Sequence, residues 1–167
     1  MSDSVFARTW SARAPLARVV EATRLDLTPQ LHPLITRADS FEERGARSTC
    51  VILERVPFGP LSLRNTYRAT RELLECDATQ ARIALAATAR FGVQLRHELA
   101  LRAAGARTDV AHVVRIRAPL LLRRFVARTA ERAHDEWVAR VVAWAESAST
   151  ATPPREHEDE RDPSAEQ

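Results

Sequence analysis

Between residues 35 and 118 the apolar side chains recur at every second position; between 119 and 146 they recur at every third or fourth. A period of two belongs to strands with one buried face, and a period near 3.6 to a helix with one buried stripe. A chain with this single switch must build a sheet first and close it with a helix. The alternating region divides at turn residues into "ITRADSFEERG", a weak strand ending at Gly45, then "RSTCVILERVPFGP", "LSLRNTYRATRELLEC", "QARIALAATAR", "VQLRHELALRA" and "RTDVAHVVRIRA". The Pro-Phe-Gly-Pro run, Gly92 and a turn at Ala104-Gly105 separate them.

A further strand is predicted upstream, over residues 5–12. "SARAPLARVVEA" then starts a helix, with Pro15 near its first turn and Leu16, Val19 and Val20 on one side. "LTPQLHPLI" holds two prolines and allows only a short helical turn before and after Pro33. About seven strands joined by short turns predict an antiparallel meander. Residues 119–146 contain no glycine and no internal proline. Leu122, Phe125, Val126, Thr129, Ala133, Trp137, Val141 and Trp144 mark the buried stripe of one long helix, with Pro119 in its first turn.

The order strand, helical pair, six strands, long helix resembles the helix-grip fold of the START-type ligand-binding superfamily (SRPBCC). That superfamily includes polyketide cyclases, pollen-allergen relatives and lipid-transfer domains. "SARAPLARVVEA" resembles its first strand-to-helix passage, "HPLI" its turn before the second strand, "RVPFGPLSLRNTYR" its hairpin between third and fourth strands. "APLLLRRFVARTAERAHDEWVARVVAWA" resembles its closing helix. The resemblance implies an α+β fold: a curved antiparallel sheet of about seven strands wrapped around a long C-terminal helix, with two short helices after the first strand. It also implies a cavity for an apolar ligand between sheet and helix. Small residues on the helix point the same way, because Ala130 and Ala133 supply little bulk where Trp137 and Trp144 fill later turns.

The buried face of "VQLRHELALRA" carries Val93, Leu95, Leu99 and Leu101, and His97 interrupts it. The next strand places Val110, His112, Val114 and Ile116 on its apolar face. A turn centred between Ala104 and Gly105 sets the two imidazoles directly opposite, with Cβ atoms about 4.5–5.5 Å apart. Asn65 and Tyr67 share a face with Leu61, Leu63 and Ala69. Cys50 shares one with Ile52 and Val56, although Glu54 falls there too. The expected ligand-binding residues are therefore Asn65, Tyr67, Leu95, His97, Leu99, His112, Val114, Phe125, Thr129 and Ala133. His97 and His112 are the candidate catalytic groups. The same pair also reads as core histidines that satisfy ordinary hydrogen bonds. No metal site is expected, since only two histidines come near each other and zinc takes three or four protein ligands.

Composition removes several chemistries. All 25 basic residues are arginine, so no lysine can form a Schiff base, anchor pyridoxal phosphate or serve a phosphate loop. There is no GxSxG, HExxH or GxGxxG, and no cofactor is expected. The Arg and Ala excess suits a GC-rich genome, hence a bacterial chain. Cys50 and Cys76 lack metal spacing and fit a reducing, cytoplasmic setting, with a disulfide left open. No secretory signal and no membrane span are read. The stretch "REHEDERDPSAEQ" sets two arginines against six acids and follows "SASTATPP". Residues 149–167 are expected to be a disordered acidic tail on a ligand-binding domain of residues 1–148. The Arg run "RIRAPLLLRRFVAR" lacks interleaved aromatics, so no nucleic-acid partner is expected.

The first function this supports is binding or transport of a small hydrophobic ligand, lipid-, polyketide- or isoprenoid-like. The alternative is a polyketide cyclase or aromatase, in which His97 or His112 removes a proton α to a carbonyl while Tyr67 or Asn65 polarises the enolate oxygen. A third reading, by fold analogy, is a coenzyme-Q-binding or partner-interaction protein.

Overall fold

The computed structural model describes residues 2–147; the expected acidic tail lies outside the described residues. The chain runs β1 (Ser2–Ala12), α1 (Leu16–Glu21), α2 (Thr28–Leu31), β2 (Ile35–Arg44), β3 (Arg47–Phe58), β4 (Leu61–Cys76), β5 (Gln80–Thr88), β6 (Gln94–Ala104), β7 (Arg107–Ala118) and α3 (Arg123–Ser147). The strands form one antiparallel sheet in the order β1-β7-β6-β5-β4-β3-β2. Successive hairpin neighbours from β2 to β7 are what the short turns require, and β1 docks on the last strand. Register breaks in β2 (between Ile35 and Arg37, and Asp39 and Glu42) and in β4 (between Leu73 and Glu75) bend the sheet. The curved sheet holds α3, as the resemblance implies.

The period-two pattern decides which face is inside. Along β7, Thr108, Val110, His112, Val114, Ile116 and Ala118 are all buried, and the residues between them are not. On α3 the buried positions are Ala133, His134, Trp137, Val141 and Ala145. Two apolar clusters result. One joins α1, β5, β6, β7 and the second half of α3 through Val19, Ile83, Leu101, Val110, Trp137 and Val141. The other lies under β2, β3 and β4, around Leu25, Ile35, Cys50, Ile52 and Ala69. The space between the two clusters is where the site forms.

Three local expectations are corrected. The β6–β7 turn is Gly105 and Ala106, because Ala104 still pairs with Arg107; Gly105 takes the left-handed φ of +67° that the turn needs. Pro119 does not sit in the first turn of α3. It opens a separate turn in which Leu122 N–H donates to its carbonyl at 3.0 Å. Leu120 and Leu121 are 71% and 98% exposed, so no packing holds this turn in helical register. Only the turn before Pro33 is helical, since β2 begins at Ile35. Cys50 is buried and Cys76 exposed, and both are free thiols. Among the described residues no helix is long and apolar enough to cross a membrane.

Candidate functional site

A cavity of about 440 Å³ lies between the concave face of the sheet and α3. Its mouth is marked by exposed apolar residues that also line it: Phe58 (45%), Leu63 (47%) and Phe91 (79%). Phe58 meets Phe125 of α3 edge-on, with ring centroids 5.0 Å apart. From Phe125 at this rim to Trp137 at the far end, the cavity follows α3 for about 18 Å, at 1.5 Å per residue. Ala130 and Ala133 form the helical wall midway, where the sequence lacks bulk.

Two sets of polar groups in the lining bear on its chemistry. On the β3–β4 side, Glu54 and Asn65 are paired across the strands, and Asn65 Nδ2 donates to Glu54 Oε2 at 3.3 Å. Tyr67 stands two residues along the same face. Burial raises the Glu54 carboxyl above the ordinary range, partly offset by the Asn65 bond. Burial likewise pushes the Tyr67 phenol well up, helped by Glu54 and Cys50. Both side chains are therefore held toward their protonated, hydrogen-bond-donating forms.

The inner end is a histidine cluster. His97 on β6 and His112 on β7 are diagonal neighbours: the register pairs His97 with Val114 and Leu99 with His112. The expected direct opposition was two residues off, because the turn lies at Gly105-Ala106. The diagonal still suffices, with His97 Nδ1 and His112 Nε2 3.1 Å apart. His134, from α3, completes the group; its ring centroid is 4.2 Å from that of His112 and 6.1 Å from that of His97. Trp137, one helical turn on, lies tilted at 5.4 Å from His134 and edge-on at 5.6 Å from His112, and Phe6 of β1 meets His134 edge-on at 5.5 Å. Burial is the main cause that lowers the pKa of all three rings, to about 3 for His97, 2 for His112 and 4 for His134, with the neighbouring imidazoles adding repulsion for His97 and His112. The cluster is neutral at pH 7. His112 Nδ1 and His134 Nε2 are buried and have no hydrogen-bond partner.

Eight of the ten expected residues line the cavity: Asn65, Tyr67, Leu95, His97, Val114, Phe125, Thr129 and Ala133. Two do not. Leu99 is 2% exposed in the first apolar cluster, and His112 is 1% exposed, behind His97 and His134. Leu99 lies beyond the cavity's inner end because β6 carries it past the histidines toward Trp137 and Val141.

Three cavity groups escaped the sequence reading. His134 was hidden beside Ala133 in the helical stripe, yet 134, 137 and 141 have the spacing of a buried helix face. Glu54 looked like an argument against an inward face for its strand, and it is in fact an inward carboxyl. His32, in the turn before β2, lines the cavity as well. Its Nδ1 accepts from Leu34 N–H at 3.3 Å, and burial lowers its pKa to about 4. No pattern marks it, since it lies outside any periodic element.

No protein-family model matches the chain, and no curated protein sequence does. Solved structures do match its fold. The ZhuI aromatase/cyclase from Streptomyces sp. R1128 superposes with a TM-score of 0.73 at 18% identity, covering 90% of this chain and 98% of its own. TTHA0849 from Thermus thermophilus gives 0.68 at 16% identity, covering 88% and 100%. A START superfamily protein from Mycobacterium smegmatis gives 0.61 at 9% identity, covering 86% and 98%. Sheet order, closing helix and these likenesses agree that the chain has the helix-grip fold.

Proposed function

We propose that this chain binds a small hydrophobic molecule in the cavity between sheet and α3, one with an apolar body and a few oxygen atoms. The observation that carries this reading is the distribution of polarity: aliphatic and aromatic walls, with Glu54, Asn65 and Tyr67 on one side and His97 and His134 at the inner end. Pockets of this size and make-up suit compact apolar ligands oriented by few hydrogen bonds. A lipid-, polyketide- or isoprenoid-like molecule meets that description.

A second reading, cyclisation of a poly-keto chain, is favoured by one specific feature. A neutral imidazole, His97, and a phenol held in donor form, Tyr67, both line the cavity, so a base and an oxyanion stabiliser share one space. Similarity to aromatase/cyclase structures supports it. Mass spectrometry of organic extracts of the purified chain, together with incubation on a model poly-keto thioester, separates the two. A retained hydrophobic molecule without turnover supports the carrier. A cyclised product whose formation is lost in His97→Leu supports the enzyme. An empty chain that turns over nothing counts against both.

A further inference from the structure

Among the described residues, His97, His112 and His134 form the one cluster of histidine, cysteine or carboxylate side chains whose donor atoms converge, with one nitrogen of each ring lying within 4.8 Å of the other two. The cluster draws on three elements, β6, β7 and α3, so it is a product of the tertiary fold. We propose that these three imidazoles form a divalent transition-metal site, best suited to zinc, at the inner end of the cavity.

Geometry supports this first. Two imidazoles on a tetrahedral zinc, each at about 2.0–2.1 Å, set their nitrogens about 3.4 Å apart. His97 Nδ1 and His112 Nε2 already stand 3.1 Å apart. The widest pair, within 4.8 Å, needs roughly 1.5 Å of closure to reach the same spacing.

The orphaned His134 nitrogen is the second, independent observation. His134 is 4% exposed, yet its Nε2 has no hydrogen-bond partner; His112 Nδ1 is orphaned too, but it points away from the Nε2 that faces His97 and does not bear on the site. Buried polar atoms are nearly always paired, and an ion is one of the standard reasons for an apparent exception. A triad of neutral rings cannot satisfy itself internally. Whichever ring donates across the 3.1 Å contact, nitrogens remain unpaired, since each neutral imidazole has one donor and one acceptor.

Donor chemistry sets the class of metal. Three nitrogen ligands without thiolate or carboxylate favour zinc, with cobalt, nickel and copper as competitors, and disfavour magnesium and calcium. Asp135, the adjacent carboxylate on α3, is exposed and engaged at 3.0 Å by Arg8. With three protein ligands, a fourth position stays open. His97 and His134 both line the cavity, so that position faces the ligand space, where an oxygen of a bound molecule can take it. The site stands whether or not the cavity's ligand is the one proposed above.

The test uses the full chain, stripped with a chelator and titrated with Zn(II) and Co(II) alone. The expected result is one ion per chain, visible Co(II) bands of four-coordinate intensity, and quenching of Trp137 by Co(II) in a chain whose Trp10 and Trp144 are replaced by Phe. His134→Ala and His97→Ala are each expected to weaken binding by roughly 100-fold or more, above the loss typical of a supporting residue. His157→Ala, in the acidic C-terminal stretch, is expected to leave it unchanged. Circular dichroism checks each variant; should His134→Ala fail to fold, His97→Ala, at a half-buried position, decides alone. Absence of one-to-one binding to the wild-type chain overturns the proposal. So does binding that survives a folded histidine-cluster variant, or binding that depends on His157.

Discussion

His97 Nδ1 lies 3.1 Å from His112 Nε2 across the β6–β7 diagonal, inside a sheet face otherwise made of aliphatic residues. Among the described side chains, each ring is the hydrogen-bond partner of that nitrogen. In the metal-free chain, His97→Leu or His112→Leu alone is therefore expected to cost about 1–3 kcal/mol, because the remaining imidazole is left with a buried orphan. Replacing both removes the orphan together with the bond. The double variant is expected to lose less than the sum of the two singles, with a coupling of about 0.5–3 kcal/mol in urea unfolding. Strictly additive losses would show that the contact contributes nothing.

Glu54 gives a pH dependence with a definite sign. Burial raises its folded-state pKa above the unfolded value of about 4.3. Below that value both states are protonated and the fold bears no penalty. As pH rises through the folded pKa, the unfolded chain has already released its proton and the folded chain must ionise a buried carboxyl, so stability falls. Glu54→Gln keeps the shape and a polar partner for Asn65. It is expected to raise Tm at pH 7–8, with the gain shrinking to nothing near pH 4. A gain independent of pH would point to packing rather than ionisation.

Trp137 is 8% exposed and sits between the histidine cluster and the first apolar cluster. In a Trp10→Phe, Trp144→Phe background its emission is expected to be blue-shifted relative to free tryptophan and to move to the red on unfolding. Emission like that of the free amino acid in the native chain would contradict the placement of α3 under the sheet.

The fold was legible because its signals are local. Alternation marked each strand of β2 to β7, and the change of period at Pro119 marked the closing helix to within four residues of Arg123. Which histidines meet was only half legible. Alternation placed His97 and His112 on one face, but their offset depends on which two residues make the turn, and Gly105 can serve at either position of a tight hairpin. His134 could not be joined to them from sequence, since the approach of α3 to β6 and β7 is set by how far the sheet curls. That curl arises from register breaks around Asp39, Glu42, Leu73 and Glu75, which alternate imperfectly and carry no glycine or proline, although Ser40 takes a left-handed φ of +53°. The inward Glu54 illustrates the same limit: a charge on an apolar face reads as an error of phase until a cavity is found in front of it.

The central claim is that the space between sheet and α3 is a ligand site, and a paired titration tests it most directly. An apolar fluorescent probe, 1-anilinonaphthalene-8-sulfonate, is titrated into the wild-type chain and into Ala130→Phe, which sets a ring into the cavity from its helical wall. The account predicts saturable binding of one probe per wild-type chain, and at least a tenfold weaker affinity in the folded variant, whose Tm is not lowered. Equal binding by both chains, or no saturable binding by the wild type, would contradict it.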